Sequence, residues 1–147
     1  MLSRPLPRRR WPSPARPGKA RGEGLIVLRA HHLLCLDQFR GLGYSPFFIA
    51  NLARVQRMLA EPGAVVQLTA GPDAICAACP FLDGAACGRG ADAADRDRLV
   101  LSRLGLAPGT PLSWAVLKEV FKAAFPPAAR LAACAGCTWL TAGVCYR

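Results

Sequence analysis

Two copies of one cysteine spacing constrain this chain more than any other feature. "CAACPFLDGAAC" (76–87) and "CAGCTWLTAGVC" (134–145) both read Cys-x2-Cys-x7-Cys. Both also place an aromatic residue and a leucine at matching offsets, Phe81-Leu82 and Trp139-Leu140. A Cys-x2-Cys pair lets two thiolates converge on one ion from a tight turn, and the third cysteine can fold back onto it. The chain has 7 cysteines, an odd number, and no recognisable export signal. That combination argues against a disulfide framework and for metal ligands or redox thiols in a reducing, cytoplasmic setting. The repeat is too short to be a duplicated fold; it repeats a site.

Each triplet, Cys76/Cys79/Cys87 and Cys134/Cys137/Cys145, is one donor short of the usual four. The segment "HHLLC" (31–35) holds the seventh cysteine and both histidines of the chain. On a helix His31 and Cys35 are i and i+4, and His32 and Cys35 are i and i+3, so Cys35 can share a face with either imidazole. The alternative is a buried Cys35 packed as a small hydrophobe beside ordinary core histidines. Seven thiols and two imidazoles could make two four-donor sites, one triplet each plus Cys35 and a histidine. They could equally make one four-cysteine site from the two Cys-x2-Cys pairs, leaving Cys35, Cys87 and Cys145 over.

Zinc ribbons use paired Cys-x2-Cys knuckles separated by roughly 15–20 residues. Here residues 80–133 lie between Cys79 and Cys134, which weakens the ribbon reading while leaving zinc as the alternative metal. Three features suit an iron–sulfur cluster, including the 4Fe-4S type. Ala77, Ala78, Ala135 and Gly136 leave backbone N–H groups free to approach sulfur. Phe81 and Trp139 can cover a cluster and exclude water, or simply pack in the core. Cys79-Pro80 matches the Cys-Pro that closes bacterial ferredoxin motifs, although the full ferredoxin run is absent. Asp73 can orient a ligand histidine, or cap the turn before Cys76.

The chain's 147 residues suffice for one domain with a modest core, and its 52% hydrophobic content excludes wholesale disorder. No apolar run approaches the ~20 residues of a membrane helix. The net charge of +10 is concentrated in residues 1–24, which hold seven Lys or Arg against one Glu. This Pro- and Arg-rich stretch is expected to be a disordered, dispensable tail, since it lacks the aliphatic surface to offset ordering. Residues 25–147 form the cysteine-rich domain.

Within that domain, "LIVLR" (25–29) reads as a strand that pairs with "AVVQLT" (64–69), with a short helix at 30–39 between them. Ser45 caps a helix starting at Pro46, whose apolar face is Phe48, Leu52, Val55 and Leu59. Further helices are expected at 91–104 and 113–125, with a break at 107–111 and a last helical stretch leading to Cys134. The expected fold is mostly α (α+β at most). It has four to five short helices, a minor two-stranded β element and two irregular cysteine loops.

"LRAHHLLCLDQFRGLGYSP", "GPDAICAACP" and "CAGCTWL…C" together resemble the DUF1284 family of bacterial and archaeal proteins, from about Leu28 to Cys145. That family is generally described as iron–sulfur binding, without an assigned biochemical role. The resemblance implies ligands at His31, His32, Cys35, Cys76, Cys87, Cys134, Cys137 and Cys145; Cys79 rests on the spacing.

The reading that follows is a small cytoplasmic iron–sulfur protein for electron transfer, cluster handling or redox sensing, with a redox or cluster-transfer protein as partner. The alternative is a zinc-stabilised module that binds nucleic acid or protein, nucleic acid being supported by the basic tail alone. A thiol redox enzyme is disfavoured, because the chain lacks a thioredoxin-like βαβ context. No residue nominates itself as a catalytic nucleophile or base.

Overall fold

A computed structural model describes residues 25–84, 86–88 and 91–145. The expected tail, residues 1–24, lies outside them.

Alternation sets the small sheet. In β1 (Leu25–Arg29) Ile26 and Leu28 are buried while Leu25 and Val27 are half-exposed. In β2 (Val65–Thr69) Val66 and Leu68 are buried. The two strands run parallel with Ile26 opposite Val66 and Leu28 opposite Leu68, so both apolar sets cover one face. A parallel pair needs a crossover, supplied here by α1 (His32–Gln38) and α2 (Pro46–Ala60). Ser45 caps α2, its Oγ accepting from Phe48 N at 3.1 Å with Pro46 in the first turn. Phe48, Leu52, Val55 and Leu59 are all buried, as their spacing requires.

The sheet has a third strand that periodicity does not reveal. β5 (Pro111–Ser113) pairs antiparallel with β2, setting Leu112 opposite Val66. It is too short to show alternation, and it begins where "APGTP" reads as a break. Ser113 ends the strand and also caps α4 (Trp114–Ala124), accepting from Val116 N at 3.2 Å. Leu117 and Phe121 of α4 are buried, and Phe121 stacks on Phe125 with ring centres 5.1 Å apart.

A two-stranded hairpin, β3 (Leu82–Asp83) and β4 (Ala86–Cys87), lies inside the first cysteine loop. α3 (Ala91–Leu104) follows, then α5 (Pro127–Ala133) and α6 (Thr138–Thr141) after α4. The result is mostly helical, with six α-helices and two small sheets among the described residues. One apolar core joins the sheet face to α1–α5. No helix among the described residues is long and apolar enough to cross a membrane.

Candidate metal centre

The two cysteine loops begin with the same turn. Cys79 N donates to Cys76 O at 2.9 Å, and Cys137 N donates to Cys134 O at 2.9 Å. Cys79 (φ −80°, ψ 131°) and Cys137 (φ −72°, ψ 129°) leave the turn in nearly the same extended conformation. In the second turn Gly136 has φ 78°, a region that a side chain would strain.

The x7 spacer is spanned differently in each loop. After Cys79 the β3–β4 hairpin reverses at Gly84 and sets Cys87 opposite Leu82. Gly88 N then donates to Phe81 O at 2.6 Å, an approach so close that a Cβ on Gly88 would lie 2.8 Å from that oxygen. After Cys137 the chain makes α6 instead. Val144 N folds back onto Trp139 O at 2.9 Å, returning the chain to Cys145.

Both loops face one cavity of about 100 Å³. Cys76, Cys79 and Cys87 of the first and Cys134 and Cys137 of the second line it, together with Cys35, His31 and His32 of the α1 segment. Cys145 is buried but is not among the lining residues. None of the seven cysteines is in a disulfide. Phe81 and Trp139 also line the cavity, and both rest on Tyr44, at 5.3 and 5.0 Å between ring centres. Phe48 completes the aromatic cluster, 5.0 Å from Tyr44 and 5.5 Å from Trp139. Tyr44 thus joins the two loops, a role that nothing in its local sequence announces.

The histidines are held by two buried carboxylates. Asp73 Oδ2 accepts from His32 Nδ1 at 2.8 Å and from Arg29 N at 2.6 Å. Its Oδ1 accepts from Ile75 N and Cys76 N at 2.9 and 3.0 Å, so this residue both caps the turn before Cys76 and orients a histidine. On the other side Asp97 Oδ1 accepts from His31 Nδ1 at 2.8 Å and His31 N at 3.1 Å, while its Oδ2 takes Arg29 Nε at 2.7 Å. Burial alone would raise both carboxyl pKa values. The histidine and backbone donors outweigh it and hold Asp73 and Asp97 below the usual carboxylate range. Ionised carboxylates can only accept, so each imidazole donates through Nδ1, and a neutral ring held this way presents its lone pair at Nε2. This is the arrangement that orients metal-ligating histidines. Burial also lowers the His31 pKa, against the pull of Asp97, which favours the neutral form a ligand needs.

Asp97 and Arg29, like Tyr44 and Arg96, are site residues that sequence reasoning missed. Asp97 is fully buried on α3, sharing one face with Ala93, Val100 and Leu104. An acidic residue in register with that apolar stripe was the available signal.

His32, Asp73 and Cys76 form a group that could hold a metal ion, their donor atoms lying within 4.8 Å of one another. Both Asp73 oxygens accept two hydrogen bonds each, so Asp73 positions His32 and Cys76 within that group. Burial first, then the charge of Asp73, pushes Cys76 up to about 12. Burial, then Cys137, Cys134 and Cys145, pushes Cys35 well above the ordinary thiol range. Such thiols stay protonated at neutral pH until a metal displaces the proton.

The family model described as "Protein of unknown function (DUF1284)" matches residues 43–143, and the chain belongs to that family. No curated protein and no solved structure matches the chain.

Proposed function

From that membership no role carries over, and we propose from the site itself that the chain binds an iron–sulfur cluster through its clustered thiolates. The observation that carries this reading is the gathering of six cysteines and two carboxylate-oriented histidines around one aromatic-covered cavity.

The donor set fits such a group. Arg96 lines the cavity, and its Nε is buried with no hydrogen-bond partner among the described residues, while its Nη2 donates to Ala135 O at 3.1 Å. A buried cationic N–H beside thiols suits the negative charge of a thiolate-bound cluster, whose sulfurs accept such donors. When bound, the cluster supplies one-electron redox chemistry. The chain's residues contribute thiolates, exclude water through Tyr44, Phe48, Phe81 and Trp139, and place positive charge at the cavity wall.

The role that follows is electron transfer, cluster handling or redox sensing with a protein partner in the cytoplasm. Iron, zinc and acid-labile sulfide measured on the full chain purified without oxygen test the reading. Iron together with sulfide is the expected result. Zinc without sulfide overturns it and favours a zinc-stabilised binding module.

A further inference from the structure

Eight donors line one cavity and a ninth, Cys145, lies buried behind it, more than the four a single centre takes. Their neighbours sort them. Arg40, just beyond α1, donates from Nε to Val144 O at 3.1 Å and from Nη2 to Gly143 O at 2.5 Å. This clamp holds the stretch leading to Cys145 against the C-terminal end of the helix that carries Cys35. Cys35, Cys134, Cys137 and Arg96 line the cavity together.

The other end of α1 belongs to the first loop. His32 is three residues, or about 4.5 Å of helix rise, before Cys35. Asp73 ties His32 Nδ1 and Cys76 N to one carboxylate, and among the described residues His32, Asp73 and Cys76 each bring one ligand atom to within 4.8 Å of the others. Arg29 lines the cavity with Cys76 and Cys87. The hairpin register then holds Cys87 beside Leu82, three residues beyond Cys79.

Resting on the metal-binding reading above, we propose that the donors divide into two centres, each built from one cysteine loop and one residue of α1. Cys35, Cys134, Cys137 and Cys145 make a four-thiolate centre that takes the iron–sulfur cluster. Cys76, Cys79, Cys87 and His32 Nε2 make a separate centre for one divalent ion of zinc type, the metal that three thiolates and an imidazole suit. His31, on Asp97, belongs to neither set.

The test uses the full chain, purified without oxygen, with iron, sulfide and zinc counted in the wild type and in four variants. Cys35→Ser and Cys145→Ser are expected to lose sulfide and its visible absorbance while keeping zinc. Cys87→Ser and His32→Ala are expected to lose zinc while keeping sulfide. Loss of both metals in all four variants means one shared centre and overturns the division while leaving metal binding intact. A wild type with no sulfide contradicts the cluster reading instead. The division is then read from zinc alone: two ions, each lost with its own pair of variants, support it, and one ion lost with either pair overturns it. Should a variant fail to fold, cadmium-113 NMR of the cadmium-loaded wild type replaces it. Separate four-sulfur and three-sulfur-plus-nitrogen resonances support the division, and a single resonance overturns it.

Discussion

The two cysteine loops share a spacing, a turn and an aromatic offset, yet they are built into the protein by opposite charges. The first is anchored by a carboxylate: Asp73 holds the backbone of Cys76 and the ring of His32. The second is anchored by arginines, Arg96 on Ala135 O and Arg40 on Gly143 O and Val144 O. The spacer between the second and third cysteines is a hairpin in one and a helical turn in the other. The shared spacing therefore dictates which sulfurs can converge, while the surroundings decide what charge and which extra donor each set receives.

The largest expected effect comes from the residue that supports the first loop at a distance. Asp97→Ala leaves Arg29 buried without its carboxylate, and should cost about 3–5 kcal/mol in chemical denaturation. A loss under 1 kcal/mol would show that Arg29 finds water or another partner. Asp97 also implies a pH dependence. Its carboxyl is held below the ordinary value of about 3.9, so its contribution is fully present above that pH and fades as pH falls through the folded value. Asp97→Asn should flatten that part of the acid-unfolding curve.

Asp73→Asn separates the loops most cleanly. The amide can keep accepting from Ile75 N and Cys76 N through its oxygen, but its NH2 cannot accept from His32. Metal held by the first loop should weaken ~10–100-fold by competition with a chelator, with no change in the second. Equal weakening in both would mean that the loops share a metal.

Tyr44→Ala removes the ring on which both loops lean. A cost of about 1–2 kcal/mol is expected, with faster loss of metal in air. The smallest effect belongs to Arg40→Ala. Its bonds to Gly143 and Val144 are exposed, so global stability should change by less than about 1 kcal/mol. Amide exchange should accelerate at Val144 without changing at Gly88.

Much of this was legible in the sequence wherever a local rule governs. Short β-prone runs marked 25–29 and 64–69, and their pairing is present. Ser45-Pro46 marked the start of α2, and the spacing of Phe48, Leu52, Val55 and Leu59 marked its buried face. The doubled cysteine pattern with "HHLLC" holds eight donor residues that line the cavity, Cys145 being outside that lining. What was not legible depends on distant partners. Asp97 reaches His31 across 66 residues of chain, and Tyr44 meets Phe81 and Trp139 only after both loops have folded. The two spacers of seven residues look alike on paper. Their different structures follow from "PFLDGAA", where Gly84 turns a hairpin, against "TWLTAGV", whose Gly143 ends a helical turn.

X-ray absorption at the iron edge of the anaerobically purified full chain tests the central claim most directly. The account predicts iron surrounded by sulfur, with a second iron detected as a neighbouring scatterer. An edge dominated by nitrogen and oxygen with no iron neighbour, or protein free of iron, would contradict it.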